Sequence, residues 1–199
     1  MASIKEIRTH IKSVEQTLKI TNAMYLISSS NLQKARKQLT DVEPYFQKIE
    51  TTISDILHHS PEISHVFFDK RPDVQPEDRK IGYIVITGDK GLAGAYNHNI
   101  LKLAEQKMSQ CPHTSLFVVG QVGRSYFLEH GIPIDVEFLY TAQDPNMGRA
   151  RDMAELMIDL YLEEQLDEVY ILFTRMVNTF RMEPTVHKLL PLDPDVFPD

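Results

Sequence analysis

The stretch VITGDKGLAGAYNHNI, residues Val85–Ile100, predicts a strand, a glycine-rich turn and the start of a helix in immediate succession. Its β-branched run gives way to Gly88, Gly91 and Gly94, after which a helical pattern begins. Free N–H groups and a partial positive charge at a helix N-terminus make such turns frequent phosphate sites. The first question is therefore whether this loop binds a nucleotide or contacts something else.

The spacing of the glycines argues against a nucleotide. A dinucleotide fingerprint requires G-x-G-x-x-G, whereas this loop is G-x-x-G-x-x-G. A P-loop requires a second glycine five residues after the first, followed by Lys and Ser or Thr, but Ala93 stands at that position. The second glycine pair, Gly120 and Gly123, is no closer to either pattern. We expect no bound cofactor.

Around the loop, short apolar runs alternate with amphipathic segments of helical length. This alternation predicts a three-layer α/β sandwich with a mostly parallel sheet, a Rossmann-like domain over residues 81–192. The predicted strands are Ile81–Thr87, Ser115–Val119, Ile134–Tyr140 and Glu168–Met176, with Thr185–Leu190 as an edge strand; the predicted helices are Ala95–Gln110, Gly123–His130 and Gly148–Glu164.

A different periodicity occupies the N-terminus. Apolar residues alternate three and four positions apart, which predicts one long coiled-coil helix over residues 1–57. At 1.5 Å per residue such a helix is roughly 80 Å long, and Pro44 predicts a kink within it. The shaft seam, as we name its principal apolar positions, is Ile4, Ile7, Ile11, Val14, Leu18 and Leu32.

Between residues 20 and 27 the helix is apolar nearly all round. Such a segment is enclosed on more than one side, either as ordinary core or by another protein. Because the α/β block alone does not supply that enclosure, we expect Ile20, Met24, Tyr25 and Ile27 to contact a partner.

The remaining segments and the composition narrow the possible functions. Residues 58–80 have the composition of a linker, and residues 193–199 form an acidic, proline-rich tail. No zinc pattern surrounds His58, His59 and His65, and the single cysteine, Cys111, favours a reducing compartment. No apolar run suits a membrane span, so we expect no direct membrane insertion.

The charge is unevenly distributed along the chain. Residues 1–40 contain seven basic and two acidic side chains, a net charge of +5, although the whole chain has a net charge of −7. This asymmetry indicates an acidic partner or a solvated helix face. The few aromatic residues of the basic segment form no stacking platform, which disfavours nucleic acid. No nucleophile motif is present, so we expect no catalytic residue.

Four separated segments resemble the γ subunit of F-type ATP synthases, in family order and over nearly the whole chain. They are SIKEIRTHIKSVEQTLKITNAMYLISSSNLQKA (Ser3–Ala35), ITGDKGLAGAYN (Ile86–Asn97), VVGQVGRSYF (Val118–Phe127) and ILFTRMVNTFRMEPTVHKLLPL (Ile171–Leu192). The cysteine-bearing insertion of chloroplast forms is absent, which favours a bacterial type.

The resemblance implies a central rotor stalk that turns inside a ring of α and β subunits and couples proton flow to ATP synthesis without catalysing it. Its partners would be the α, β and ε subunits and the c-ring, and its location the cytoplasmic face of the bacterial membrane, as a peripheral part of the complex. By matching position, Lys90 would meet acidic segments of β, while Gly91 and Gly94 would permit close backbone approach.

The resemblance also implies a second long helix, which pairs with the first in the family, but no helical pattern follows Leu192. Two alternatives to a rotor therefore stay open: a truncated γ-like paralogue that acts in assembly or interaction, and a small-molecule-binding α/β domain with a helical appendage.

Overall fold

The computed structural model describes residues 3–59, 64–138, 141–142, 145–178 and 181–193. The chain divides into two compact units, one built on the N-terminal helix and the other an α/β unit. In the described part of the chain, no helix combines the length and the apolar character that crossing a bilayer requires.

Helix α1 spans Ile4–His59 without interruption. It begins with a capping box, in which the Ser3 N–H donates to Glu6 Oε2 (2.7 Å) and the Glu6 N–H donates to Ser3 Oγ (3.3 Å). The helix continues through Pro44 and extends two residues beyond the predicted residue 57, and the kink at Pro44 stays a prediction.

Within its described residues, the α/β unit contains five strands and three α-helices, and it confirms the predicted fold class. The strands are β1 (Lys80–Ile86), β2 (His113–Val119), β3 (Val136–Phe138), β4 (Glu168–Met176) and β5 (Met182–Leu190); the helices are α2 (Tyr96–Met108), α3 (Gln121–Glu129) and α4 (Met147–Leu162). The sheet order is β3-β2-β1-β4-β5, and only the β4–β5 pairing is antiparallel.

Each face of the sheet has its own core. On the first face, Ile100 and Ala104 of α2 and Phe127 of α3, each 0% exposed, pack with Val85 and Leu116. On the second face, α4 packs against a cluster of strand residues: Ile84, Phe117, Val119, Val169 and Leu190. Two helices therefore cover the first face, and α4 contributes to the core of the second.

The order of the strands places the glycine loop at a characteristic point. The chain forms β1, β2 and β3 in order across one side of the sheet. Helix α4 then connects β3 to β4, which lies on the other side of β1. The crevice at the carboxyl ends of β1 and β4 is thus the topological switch point, where ligands bind in doubly wound sheets. The loop that follows β1 begins at this edge.

Several elements differ in extent from the sequence predictions. Strand β5 begins at Met182 rather than Thr185, because Met182 pairs with Met176 and the hairpin closes three residues earlier. The predicted strand Ile134–Tyr140 is reduced to β3, and its last two positions lie outside the described residues. The linker contains two 3₁₀ turns, Val66–Phe68 and Pro76–Asp78. Of the predicted tail, residues 194–199 lie outside the described ranges.

Candidate partner-contact surfaces

All six residues of the shaft seam are exposed in the structure. Their exposed fractions are 73% for Ile4, 50% for Ile7, 52% for Ile11, 54% for Val14, 58% for Leu18 and 44% for Leu32. Fully burying one such side chain is worth about 1.5–3 kcal/mol. The seam is therefore a large apolar surface that the described chain leaves uncovered.

The second predicted contact surface on α1 is exposed as well. Ile20 is 61% exposed, Met24 46%, Tyr25 69% and Ile27 62%. Leu26, 66% exposed, lies among them and adds to the same surface. In the described residues of α1 only Ser54 is buried, so these side chains do not belong to a core that the helix makes with itself.

The threonine hydroxyl groups of α1 are directed back to the helix. Each of its six threonines donates a side-chain hydrogen bond of 2.7–3.0 Å to the carbonyl oxygen four residues earlier. These residues are Thr9, Thr17, Thr21, Thr40, Thr51 and Thr52. The hydroxyl of each threonine is therefore already used within the helix.

The base of the glycine loop is tied to the start of α3. Thr87 is buried and its Oγ1 both donates to the Val119 carbonyl oxygen (2.9 Å) and accepts the Gly123 N–H (2.9 Å). The Gly88 N–H donates to Asn97 Oδ1 at 2.8 Å, and the Gly88 carbonyl oxygen accepts the Val122 N–H at 3.1 Å. The loop thus leaves the sheet from a fixed base.

A carboxylate of the chain itself occupies the N-terminus of α3. Asp89 Oδ1 accepts the Gln121 N–H at 2.9 Å. A phosphate at the start of α3 would meet the negative charge of Asp89, and the Gln121 N–H is already engaged. This contact joins residues 32 positions apart and has no local signal in the sequence.

Two glycines in the following turn have a packing role. Gly120 has φ of 97°, and a Cβ built there lies 2.3 Å from the Thr87 carbonyl oxygen. A Cβ at Gly123 would lie 2.9 Å from Thr87 Oγ1. The second glycine pair therefore permits α3 to begin directly against the end of β1.

The tip of the loop faces solvent. Lys90 is exposed and makes no ion pair with any residue that the structure describes, and a Cβ at Gly91 or Gly94 meets no atom within 4 Å. Leu92 is 93% exposed and has φ of 61°, a left-handed conformation that is uncommon for leucine. The tip therefore presents one cation and one apolar side chain together.

Leu92 is not among the contact residues predicted from the sequence. A signal was available, because Leu92 is the only large apolar side chain between Gly91 and Gly94. Glycines on both sides leave a leucine without neighbours to cover it. The loop therefore contributes Lys90 and Leu92 as candidate contact residues.

An apolar cleft of about 720 Å³ crosses the second face of the sheet. Strand residues such as Ile84, Val119 and Ile171 and helix residues such as Met153 and Met157 line it. Tyr96 lies at its rim, where burial raises the pKa of the hydroxyl. Volume and lining are typical of a small-molecule pocket.

A charged cluster lies at the amino end of β4. Glu168 accepts hydrogen bonds from Arg79 (2.5 Å), Tyr170 (2.5 Å) and Lys188 (3.1 Å). Burial acts to raise the pKa of Glu168, but the hydrogen bonds from Tyr170 and Lys188 more than offset it, and the pKa is lowered. The same carboxylate, after burial, raises the pKa of the Tyr170 hydroxyl well above its ordinary value of 10.0. The polar groups satisfy each other, which indicates a structural role.

The histidines of the linker region do not converge on a metal. His59 Nδ1 lies 2.7 Å from the Asp55 carbonyl oxygen, and His65 Nδ1 accepts the Phe67 N–H at 3.3 Å. Within the described ranges, no group of three or more His, Cys, Asp or Glu side chains is arranged to hold a metal ion.

The chain is similar in sequence to bacterial ATP synthase subunits. A family model described as ATP synthase matches residues 3–197. The ATP synthase gamma chain of Acetivibrio thermocellus is 46% identical over 195 residues, which are 98% of this chain and 65% of the relative. That of Ruminiclostridium cellulolyticum is 45% identical over 192 residues, with coverages of 96% and 65%. The chain thus spans about 65% of the length of these relatives.

A structural comparison supports the fold. The central stalk and c-ring structure of the Tetrahymena thermophila mitochondrial ATP synthase contains a chain similar to this one, with a TM-score of 0.53 and 20% identity. The match covers 78% of this chain and 71% of that chain. Motifs, fold and sequence identity lead to one assignment: this chain belongs to the ATP synthase gamma chain family, of the bacterial type.

Proposed function

We propose that this chain is a central stalk subunit of a bacterial ATP synthase. It couples proton flow through the membrane ring to ATP synthesis at the β subunits and contains no catalytic residue of its own. Its partners are the α and β subunits, the ε subunit and the c-ring. It is located peripherally at the cytoplasmic face of the membrane, as part of the assembled complex.

The observation that carries this proposal is the uncovered apolar surface of α1. Two surfaces, the shaft seam and the residues between 20 and 27, are exposed on one helix in a member of the gamma chain family. A sleeve of α and β subunits would cover residues Ile20, Met24, Tyr25 and Ile27. The net charge of +5 over residues 1–40 suits the acidic surface expected of β.

The glycine loop supplies a second contact with β. Lys90, Gly91 and Gly94 form it, and the exposed Leu92 extends it with an apolar side chain. Hydrogen bonds of Thr87 and Asn97 hold the base of the loop. The loop would therefore lose little conformational entropy when its tip binds β.

The proposal is tested by reconstitution with the α and β subunits of Acetivibrio thermocellus. A stalk subunit is expected to restore cooperative ATP turnover to the αβ mixture. Lys90→Glu should weaken assembly or coupling and leave the stability of the free chain within about 0.5 kcal/mol, because exposed charges contribute little. Lys102→Glu, an exposed lysine on α2, is the matched control.

One outcome of this reconstitution contradicts the stalk function, and another contradicts the contact through the glycine loop. If the chain binds α and β without restoring turnover, the truncated paralogue that acts in assembly is favoured. If Lys90→Glu and Lys102→Glu have equal effects, the glycine loop is not the contact.

The apolar cleft supports a second candidate function, the binding of a small apolar molecule by the α/β unit. Its volume of about 720 Å³ lies within the usual range for ligand pockets. Ala154→Trp narrows the cleft and should abolish binding of an apolar fluorescent probe such as 1-anilinonaphthalene to the folded chain. Equal binding by the wild type and this variant would exclude the cleft as its site.

A further inference from the structure

We infer that Val66–Arg71 and Leu192–Asp193 form a single mechanical anchor, the place at which the two chain connections of the α/β unit are fixed, and that Arg71 is its positioning residue. The inference rests on the proposed function for its mechanical role in the rotor. Its structural part concerns the α/β unit only and is tested separately.

The Arg71 side chain makes three hydrogen bonds to residues far along the chain. Its guanidinium donates to Asp167 Oδ1 (2.6 Å) and to the Leu166 carbonyl oxygen (2.9 Å) through Nη1, and to the Tyr161 carbonyl oxygen through Nη2. The side chains of Arg71 and Asp167 are only 12% and 6% exposed. The partners lie about 90 residues further along the chain, at the end of α4 and the start of β4.

Tyr161 of α4 holds the same segment through its ring and its hydroxyl group. The Arg71 guanidinium lies 4.5 Å from the centre of the Tyr161 ring, and the ring is 0% exposed. The Tyr161 hydroxyl donates to the carbonyl oxygens of Asp69 (2.8 Å) and Val66 (3.3 Å). A single buried aromatic residue of α4 therefore holds both the backbone and the charged side chain of the anchor.

The backbone at Arg71 supports a special role. Arg71 has φ of 46°, and its N–H donates to Asp69 Oδ1 at 2.9 Å. A left-handed arginine costs free energy that the surroundings must supply. The Arg79 guanidinium also donates to the carbonyl oxygens of Lys70 (3.0 Å) and Arg71 (3.3 Å), so the strained turn is held from both sides.

The second chain connection joins the first at the same place. The Leu192 N–H donates to the Phe67 carbonyl oxygen at 2.6 Å, and Lys70 forms an ion pair with Asp193 at 3.2 Å. The chain that enters the α/β unit after α1 and the chain that leaves β5 are thus bonded directly to each other. The segment Val66–Arg71, to which Leu192 and Asp193 are bonded, is itself held by Tyr161 and Asp167.

This arrangement has a mechanical consequence. Force that passes along the backbone between α1 and the sheet enters the α/β unit at Val66–Arg71. Three bonds from one planar guanidinium oppose its displacement, a geometry that lysine does not reproduce. Leu192 and Asp193 are bonded to the same segment. A force applied to the chain before Val66 is therefore also transmitted to the chain after β5, and the reverse holds as well.

Hydrogen exchange on the full chain tests the anchor without any partner. In Arg71→Lys, which keeps the positive charge beside Asp167, the amides of Phe68, Asp69 and Leu192 should exchange about tenfold or more faster. The amides of β1 and β4 should stay unchanged. Arg124→Lys is the matched control, since Arg124 pairs with Glu137 at 2.6 Å in another part of the unit.

Tyr161→Phe provides the second variant, because it keeps the ring and removes only the hydroxyl bonds to Val66 and Asp69. Tyr161→Phe should also increase the hydrogen-exchange rates of the Phe68, Asp69 and Leu192 amides. The inference is overturned if Leu192 stays protected while Val66–Asp69 loosens, because the two connections are then independent. It is equally overturned if both variants release β1 and β4 together with the anchor, which would make Arg71 and Tyr161 general core residues.

Reconstitution with Acetivibrio thermocellus α and β subunits then tests the mechanical role. Arg71→Lys should restore ATP turnover to the wild-type level but lower proton-driven ATP synthesis in the complete complex several-fold. If the wild type restores no turnover, the proposed function fails while the exchange result still decides the anchor. If Arg71→Lys synthesises ATP as the wild type does, the anchor does not transmit load.

Discussion

Helix α1 and the α/β unit use their apolar residues in opposite ways. In α1, Ile20 and Leu26 are 61% and 66% exposed, whereas in the α/β unit Ile100, Phe127 and Leu172 are 0% exposed. The α/β unit therefore has a core of its own, within the described residues, and α1 does not. This difference supports the proposal that a partner covers α1.

The two regions also differ in what stabilises their secondary structure. Isolated helices depend on length, capping and internal bonds, and most helical stability in proteins comes from packing of an apolar face. Helix α1 has the length, and Ser3 and Glu6 cap it, but its apolar face is unpacked. Residue changes are therefore expected to act differently in the two regions.

The largest difference is expected for apolar residues cut back to alanine. Leu116 is 1% exposed, and Leu116→Ala should lower the free energy of unfolding of the α/β unit by about 2–5 kcal/mol, because it leaves a cavity. Leu26→Ala should change it by less than about 0.5 kcal/mol. Denaturant unfolding followed by tyrosine fluorescence measures both, and similar losses would mean that Leu26 belongs to a core.

A smaller difference separates two glycines of the switch-point region. Gly120→Ala should destabilise the α/β unit by at least about 1–3 kcal/mol, because φ of 97° strains alanine and the new Cβ meets the Thr87 carbonyl oxygen. Gly91→Ala has open space and should be near neutral. Thermal unfolding measures the stability of both variants. If Gly120→Ala is as stable as the wild type, the start of α3 moves readily away from Thr87.

Acid is expected to destabilise the α/β unit through the anchor. Burial acts to raise the pKa of Asp167, but the Lys80 N–H and then Arg71 more than offset it and hold that pKa below 3.8. The unfolded state then binds more protons at low pH, so the stabilisation is complete above pH 3.8 and is lost as the pH falls through the lowered value. Asp167→Asn should flatten the dependence of unfolding free energy on pH; an unchanged slope would assign the acid sensitivity to other carboxylates.

The smallest effect on the free chain is expected for Met24→Lys. Met24 is 46% exposed on α1, so the stability of the α/β unit should change by less than about 0.5 kcal/mol. In an assembled complex the new ammonium would meet the acidic surface expected of β and should impair coupling while assembly stays normal. Unfolding of the free chain would make this surface internal core, and an unaltered complex would argue against a working rotor.

Local patterns were sufficient to predict most of the fold. Strand β4 has the predicted bounds, Glu168–Met176, because a β-branched and aromatic run lies between two polar turns. The order of strands and helices followed from the alternation of apolar runs with helical segments. The long helix followed from its three- and four-residue spacing, which Pro44 does not interrupt.

Contacts between distant segments could not be predicted in this way. Helix α3 begins at Gln121 rather than Gly123 because Asp89 and Thr87, more than thirty residues earlier, supply its capping bonds. Arg71 falls in a segment whose composition indicates only a linker, and its partners Tyr161 and Asp167 follow about 90 residues later. Leu92 was missed although its position between two glycines was a signal in the sequence, because the exposure of its side chain becomes visible only in the folded loop.

The threonines of α1 have a consequence for any sleeve that encloses it. Their six hydroxyl groups are already bonded to carbonyl oxygens within the helix, so they offer little directional bonding to a neighbour. Directional bonds would favour one angle of the helix over the others, whereas apolar contact varies little with angle. In the proposed rotor, the threonines of α1 would therefore add little to any preference of the helix for one rotational position.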